Sequence, residues 1–270
     1  MLTVTWTGVA GLAIRTSDKV ILVDPYVSRH SKREVVLSRL SPKEERVRAF
    51  LRGFDRVDHI LVGHSHYDHV LDVPLIAKLT GAKVVGSEST ANLLRACGIP
   101  ESQIAVARGK DHLDLGGVSV EIAEAIHGRS LLGVPFPCEI APGIGLPARS
   151  SKLKHGRVLQ FVIHAEGCRI FQSGSAAFVE PNVRGLEADV AFVSLPWWRS
   201  CERFIPGLLG TLKPKLVVPI HYDDMFSSAP TGLKSLPWSD TVEFAQEVFR
   251  FDRMMEVRFM PVGGRLTLVS

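Results

Sequence analysis

A dense cluster of imidazole and carboxylate groups at residues 64–69 constrains this chain more than any other feature. The six residues read His-Ser-His-Tyr-Asp-His and directly follow the apolar run 60–63. Such side chains are ligands for zinc, iron, nickel and manganese. On a helix His64 and His66 would point about 200° apart, whereas in an extended segment residues two apart share a face. We therefore interpret the cluster as a strand end or loop, in which His64 and His66 bind one ion and Asp68 and His69 reach a second. A solvated, histidine-rich turn is the less favoured alternative.

Composition describes the rest of the chain as an ordinary soluble globular protein. Its 270 residues are 46% hydrophobic and 22% charged, and its net charge of +4 is too small to indicate nucleic-acid binding. No run approaches about 18 apolar residues and no basic leader is visible, so neither export nor a membrane span is predicted. Four scattered cysteines without a Cys-x-x-Cys pair indicate free thiols in a reducing cytoplasm. We interpret residues 1–270 as one domain.

Short β segments alternate with helical segments, which favours an α/β (α+β) fold with two sheets covered by helices. Two later segments deliver a histidine at their ends: 118–126 leads to His127, and 216–220 leads to His221. Asp24 ends an early apolar strand, where it could cap a turn or support the metal cluster, and its position favours the turn. Segments 257–259 and 265–269 are predicted to form a closing hairpin.

Residues 129–156 form a long connection that is rich in proline and glycine yet apolar. Its apolar content disfavours disorder, so we predict a lid or a wall of the substrate site. Trp197 and Trp198 could be core or pocket wall, and core is the more frequent role of adjacent tryptophans.

The residues resemble the metallo-β-lactamase superfamily of metal-dependent hydrolases. The resemblance lies in the cluster at 64–69, in the order of His127 and His221 after it, and in Trp6-x-Gly8 and the Val23-Asp24-Pro25 strand end. The opening Trp6-x-Gly8, the strand end Ile21-Leu22-Val23-Asp24-Pro25 and the strand end Pro219-Ile220-His221-Tyr222 are similar to the branch that includes ascorbate-phosphate lactonases and N-acylphosphatidylethanolamine phospholipases D. The resemblance implies a four-layer αββα sandwich of two mixed sheets flanked by helices.

Carried over by residue, the resemblance implies two metal sites. One would be held by His64, His66 and His127, and the other by Asp68, His69 and His221. In the family a bridging aspartate normally follows a glycine, and here Gly174 is followed by Ser175. A neutral hydroxyl does not offset the repulsion between two divalent ions roughly 3.5–4 Å apart. Three outcomes are open: one metal, a weaker second metal, or a substitute ligand from Asp223, Asp224 or Glu139. We favour unequal occupancy.

The implied function is hydrolysis, in which a metal-bound water or hydroxide attacks a phosphodiester, lactone or related ester of a small, partly apolar molecule. Asp68 would bind metal and orient the nucleophile, and Ser175 would hydrogen-bond it. Zn²⁺ is the first expectation, with Mn²⁺, Fe and Ni²⁺ as alternatives. Tyr222, Asp223 or His164 could protonate the leaving group, and Arg129, Arg149 or Lys152 could engage an anionic group.

The second hypothesis is a non-catalytic metal- or ligand-binding protein with a degenerate site.

Overall fold

The computed structural model describes residues 1–129, 133–227, 235–236 and 238–268. The first of its two seven-stranded sheets has the spatial order β14-β1-β2-β3-β4-β5-β6. Antiparallel pairs join β14, β1, β2 and β3, and parallel pairs join β3, β4, β5 and β6. Its strands are β1 (Leu2–Gly8), β2 (Gly11–Arg15), β3 (Val20–Val23), β4 (His59–Leu61), β5 (Lys83–Gly86), β6 (Ile104–Val106) and β14 (Arg265–Leu268).

The second sheet repeats this mixed pattern, with the order β13-β12-β11-β10-β9-β8-β7. Parallel pairs join β13, β12, β11 and β10, and antiparallel pairs join β10, β9, β8 and β7. Buried on both faces, its central strands are rich in valine, isoleucine and phenylalanine. Its strands are β7 (His112–Asp114), β8 (Ser119–Ala125), β9 (Val158–Ala165), β10 (Cys168–Ser173), β11 (Val190–Ser194), β12 (Leu216–Ile220) and β13 (Glu256–Val257).

Helices cover the outer faces of both sheets. The α-helices are α1 (Lys32–Leu37), α2 (Glu44–Leu51), α3 (Tyr67–Val70), α4 (Val73–Thr80), α5 (Glu88–Ala96), α6 (Glu180–Val183), α7 (Gly210–Leu212) and α8 (Thr241–Phe251). One apolar core joins the facing sides of the two sheets and extends to α6, α7 and α8. A second core joins the outer side of the first sheet to α2, α3, α4 and α5. The fold is therefore the predicted αββα sandwich of two mixed sheets.

The predicted closing hairpin is wrong. β13 pairs in parallel with β12 in the second sheet, whereas β14 pairs antiparallel with β1 in the first. The two segments look like hairpin partners because they are close in sequence, but the chain crosses from one sheet to the other between them. Within the described parts of the chain, no helix is long and apolar enough to cross a membrane.

A few buried apolar residues attach the described loop 133–156 to the sandwich, while much of the loop is exposed. Ile140, Ala148 and Leu153 are buried in the second core, and Leu40 forms an antiparallel bridge with Ala148. The loop also contains a 3₁₀ turn at Ser150–Lys152. Residues 130–132 lie outside the described residues. These three apolar residues thus fix the connection to the sandwich.

A buried ion pair fastens the end of β12 to the first sheet. The guanidinium of Arg29 donates to Oδ2 of Asp223, and Oδ1 of Asp223 accepts a 2.9 Å hydrogen bond from the amide of Val9. The amide of His221 donates to the carbonyl of Val9 at 2.8 Å. The backbone amide and the backbone carbonyl of Val9 are therefore both hydrogen-bonded to the segment 221–223. The side chains of Arg29 and Asp223 are only 5% and 6% exposed, so each buried charge is stable only while its partner is present.

Removing one partner of this pair should destabilise the protein strongly. We expect Arg29→Met to lower the free energy of unfolding by about 3 kcal/mol or more, because Asp223 would remain charged, buried and unpaired. Arg258→Met is the matched control, since Arg258 pairs with Glu256 at the surface and should cost at most about 1 kcal/mol. Urea unfolding measures both values. Equal losses in the two variants would refute the structural role of the buried pair.

Candidate metal centre

Strand ends of both sheets bring the site together. His64 follows β4, His127 follows β8 and His221 follows β12, while Asp68 and His69 lie on α3. Gly174 and Ser175 follow β10. The carboxyl ends of parallel strands meet at one edge of a sheet, where α/β proteins commonly place ligands. The six sequence-predicted ligands thus converge, although they are spread over almost 160 residues.

The first group comprises His64, His66 and His127, whose potential ligand atoms all lie within 4.8 Å of one another. Outer hydrogen bonds orient two of the rings. Nε2 of His66 lies 3.0 Å from the carbonyl of Pro135, and Nδ1 of His127 lies 2.7 Å from the carbonyl of Gly128. Each of these nitrogens donates to its carbonyl, so the other nitrogen of the same ring keeps a free lone pair. Nδ1 of His66 lies 3.1 Å from Nε2 of His64, a spacing that suits two nitrogens facing one cation.

The second group comprises Asp68, His69 and His221, whose potential ligand atoms also lie within 4.8 Å of one another. Oδ2 of Asp68 lies 3.7 Å from Nε2 of His69 and 3.3 Å from Nε2 of His221. All three side chains are buried. The two groups abut, because the ring centroids of His64 and His69 are 3.8 Å apart. The donor set of five imidazoles and one carboxylate fits zinc and related transition metals.

Asp24 supports this centre, so the preference for a simple turn role is wrong. Its Oδ2 lies 3.0 Å from Nδ1 of His69 and accepts a 3.1 Å hydrogen bond from Nε2 of Gln172. Its Oδ1 accepts a 2.7 Å hydrogen bond from the amide of Gly63. A carboxylate at the outer nitrogen of a metal-binding imidazole fixes the tautomer and the ring orientation.

Two glycines make room for the buried Asp24 carboxylate. A Cβ atom at Gly63 would lie 2.9 Å from Oδ2 of Asp24, and one at Gly174 would lie 2.8 Å from the same oxygen. The Cβ at Gly174 would also lie 3.5 Å from Cε1 of His69. Larger residues at either position would therefore displace the carboxylate from the ring that it orients.

Burial shifts the pKa values of three of the site histidines in the direction that metal binding requires. Burial also opposes protonation of His69, but the carboxylates of Asp24 and Asp68 outweigh it and raise the pKa of that ring. Burial, assisted by the neighbouring imidazoles, lowers the pKa of His64 and of His66 well below the usual value. Burial also lowers the pKa of His127 to about 4. Burial opposes the ionisation of Asp68, but His69 and His221 outweigh it and hold the pKa of that carboxyl below its usual range. Neutral imidazoles and an ionised carboxylate are the ligand forms.

Ser175 occupies the position after Gly174 that the family pattern gives to a bridging aspartate. Its Oγ accepts a 2.9 Å hydrogen bond from the amide of Gly128, the residue after His127. The side chain is buried and lines the cavity beside the metal groups. The hydroxyl thus links the His127 turn to the β10 end without adding negative charge.

The proposed substitute ligands and proton donors lie away from the cavity lining. The hydroxyl of Tyr222 donates to the carbonyl of Met260 at 2.6 Å, and Asp223 pairs with Arg29. Oδ1 of Asp224 accepts from the amide of Phe226 at 3.1 Å, and Glu139 is exposed. His164 lies 2.6 Å from Glu121 on β8. The structure therefore brings none of these five side chains to the cavity lining, and neither does it bring Arg129, Arg149 or Lys152.

A cavity of about 250 Å³ opens onto both metal groups. Besides the six potential ligands its lining includes Ser175 and Tyr67, and its remaining walls are mostly apolar. The larger apolar side chains of those walls come from three loops and are Pro135, Phe136, Pro196, Trp197, Met225, Leu236 and Trp238. Trp197 is thus pocket wall, while its neighbour Trp198 packs in the core against Phe244. The expectation of core for adjacent tryptophans is right for one residue of the pair.

Sequence reasoning missed His155, which packs against the metal groups, and also the cavity-lining residues Tyr67, Met225, Leu236 and Trp238. The ring of His155 stacks on His127 with centroids 5.5 Å apart and contacts His66 at 5.6 Å. Its backbone carbonyl accepts a 2.9 Å hydrogen bond from the amide of Ser65. The available signal was the dipeptide His155-Gly156, which repeats His127-Gly128 in sequence. In both dipeptides Nδ1 of the histidine contacts the glycine carbonyl.

Removing the charge of Asp24 should weaken metal binding. We expect Asp24→Asn to raise the dissociation constant of the metal held by Asp68, His69 and His221 by about 10- to 100-fold, the usual effect of losing an outer partner. The backbone should tolerate the change, because Asp24 has φ 43° and asparagine accepts this left-handed conformation. Competition with a chromogenic chelator measures the constant. Asp58→Asn, at the opposite end of β4, is the control, and the prediction fails if both variants bind metal equally.

Comparisons with known proteins agree with this geometry. Residues 19–223 match the model of the beta-lactamase superfamily domain. A UPF0173 metal-dependent hydrolase of Staphylococcus aureus (strain JH9) is 26% identical over 230 residues, which are 80% of this chain and 83% of that protein.

Two solved structures show the same fold. Igni18, a metallo hydrolase from Ignicoccus hospitalis, has a TM-score of 0.66 at 20% identity and covers 100% of this chain and 99% of its own. An isothiocyanate hydrolase from Delia radicum gut bacteria has a TM-score of 0.64 at 14% identity. The match covers 99% of this chain and 100% of that protein. Family match, fold and ligand geometry together identify the chain as a metal-dependent hydrolase of the metallo-β-lactamase superfamily.

Proposed function

We propose that the chain hydrolyses a lactone or carboxylic ester of a small, partly apolar molecule. The observation that carries this proposal is the pair of metal-binding groups at the base of a small, mostly apolar cavity. A phosphodiester, the other expected substrate class, has less support from the cavity walls: no lysine or arginine lines them among residues 1–129, 133–227, 235–236 and 238–268, so only the metal ions would offset its charge. The part of the loop that contributes Pro135 and Phe136 would serve as the substrate wall.

Zn²⁺ is the proposed metal, with Mn²⁺, Fe and Ni²⁺ as alternatives that suit the same ligands. The proposed ligands are His64, His66 and His127 for one ion and Asp68, His69 and His221 for the other. Bound metal would lower the pKa of a water molecule and polarise the oxygen under attack. Because Ser175 adds no charge, we propose unequal occupancy, with the second ion held more weakly.

The chain's own residues would orient the reactants. Asp68 can accept a hydrogen bond from the attacking water through an oxygen that it does not use for metal. Ser175 accepts from the amide of Gly128, so its own proton remains available to donate to the water or the substrate. Burial raises the pKa of Tyr67 well above its usual value, which keeps this cavity-lining phenol a neutral donor.

The non-catalytic alternative rests only on Ser175. Against it, the other six candidate ligands are present and grouped, and the similar proteins are hydrolases by name. We further propose a cytoplasmic location, which the four cysteines fit because each is a free thiol.

Metal removal and a ligand variant test the hydrolase. We expect metal-loaded protein to hydrolyse neutral lactones and carboxylic esters in preference to bis-aryl phosphodiesters. Exhaustive chelation should abolish turnover, and Zn²⁺ should restore it. His66→Ala should lower kcat/KM more than about 100-fold, since even outer partners of metal ligands are worth 10–100-fold. Chelator-resistant turnover, or wild-type rates in the variant, would contradict a metal-dependent reaction at this centre.

Restoring the bridging carboxylate should strengthen the second metal. We expect Ser175→Asp to tighten the second equivalent of Zn²⁺ by at least about tenfold, because a carboxylate offsets the repulsion between the two ions. Ser175→Asn is the matched control of similar size without charge, and it should leave the second equivalent weak. Calorimetric titration resolves the two equivalents. Two equally tight equivalents in the wild type would refute unequal occupancy.

A further inference from the structure

Two tryptophans from separate loops stack on each other at the wall of the cavity. The rings of Trp197 and Trp238 are nearly parallel, with an angle of 3° between their planes and centroids 5.8 Å apart. Trp197 follows β11, and Trp238 lies on the connection between β12 and α8. Both residues line the cavity and both remain partly exposed. The pair, which we call the tryptophan wall, thus places aromatic side chains at the cavity.

The backbone holds the tryptophan wall in place. Trp197 adopts φ 63°, a left-handed conformation that is unfavourable for a bulky residue. Its amide donates to the carbonyl of Trp238 at 3.3 Å, and its neighbour Trp198 is anchored in the core. The loop of Trp238 is held by a 2.6 Å hydrogen bond from the amide of Leu236 to the carbonyl of Tyr222. Residues in such conformations cluster at functional sites, where the surrounding structure maintains them.

The size and chemistry of the cavity limit its occupant. At about 250 Å³ it is smaller than the 300–1,000 Å³ typical of sites for drug-sized ligands, so it suits a single ring with a short substituent. Phe136 and Met225 add apolar surface, and methionine sulfur also contacts aromatic rings favourably. Among the described lining residues no lysine or arginine is available to neutralise an anionic group.

We propose that the substrate carries one uncharged aromatic ring next to the bond that is cleaved, and that this ring stacks on the tryptophan wall. This inference rests on the proposed hydrolysis of an ester-like substrate. An aliphatic ring of equal size would gain burial in the cavity, but only an aromatic ring gains the additional offset-stacking or edge-to-face interaction with the indoles.

A matched pair of esters tests the proposal with the metal-loaded enzyme. Benzyl acetate and cyclohexylmethyl acetate differ in the aromaticity of one ring and share the same acyl group. We expect kcat/KM to favour the benzyl ester by about five- to tenfold, as stacking energies imply. Trp238→Leu should reduce the ratio to about one to two, with metal content unchanged, because it removes one indole of the wall. Phe249→Leu is the control, since Phe249 is an exposed aromatic residue on α8, and it should keep the wild-type ratio.

A binding measurement separates this inference from the proposed activity. Quenching of tryptophan fluorescence should show tighter binding of benzyl alcohol than of cyclohexylmethanol, and Trp238→Leu should remove the difference. If benzyl alcohol binds more tightly than cyclohexylmethanol but neither ester is hydrolysed, the proposed ester hydrolysis is wrong and the proposed aromatic binding at the tryptophan wall is supported. If both esters react equally, or if 4-carboxybenzyl acetate is preferred, the inference is overturned while hydrolysis stands. Absence of both selective binding and turnover overturns both.

Discussion

The buried carboxylate of Asp24 is the contact on which the metal centre depends. It accepts hydrogen bonds from Gly63, at the start of the histidine cluster, and from Gln172 on β10 of the other sheet, and it lies beside His69. One side chain therefore joins both sheets at the point where the metal groups meet. The cost of burying this anion is offset by the donors around it, because a buried charge is stable only when it is fully partnered.

Convergence of strand ends gives the site its chemistry, and loops give it its shape. The potential ligands come from the ends of β4, β8 and β12 and from α3, all of which the two cores fix. The walls of the cavity come from three connections that carry Phe136, Trp197 and Trp238. When rigid elements hold the catalytic groups and loops form the walls, the substrate of an enzyme can change through its loops while the reaction stays the same. The proposed ester chemistry and the proposed aromatic ring thus reside in different parts of the structure.

Ser175 alters the electrostatics of the centre rather than its geometry. The hydroxyl occupies the β10 end and binds the Gly128 amide, so the turn that carries His127 remains supported. The missing quantity is one negative charge, and none of Asp223, Asp224 and Glu139 replaces it from the cavity lining. Asp223 instead pairs with Arg29, where it fixes the segment of His221. An acidic residue near a metal ligand in sequence can therefore serve the ligand's backbone instead of the metal.

The sequence by itself indicated two sheets covered by helices and a metal-binding cluster at residues 64–69, because the alternation of strands with helices and ligand spacing over six residues are local properties. The four-layer αββα order followed from the family resemblance. The sequence also indicated His127 and His221, since each directly follows an apolar strand. Tertiary structure alone decided that Asp24 contacts His69, that His155 packs on His127, and that β13 and β14 lie in different sheets. It also decided that Trp197 lines the cavity and that Trp198 is buried in the core. These outcomes depend on how distant segments pack, and neighbouring residues in the chain do not encode that packing.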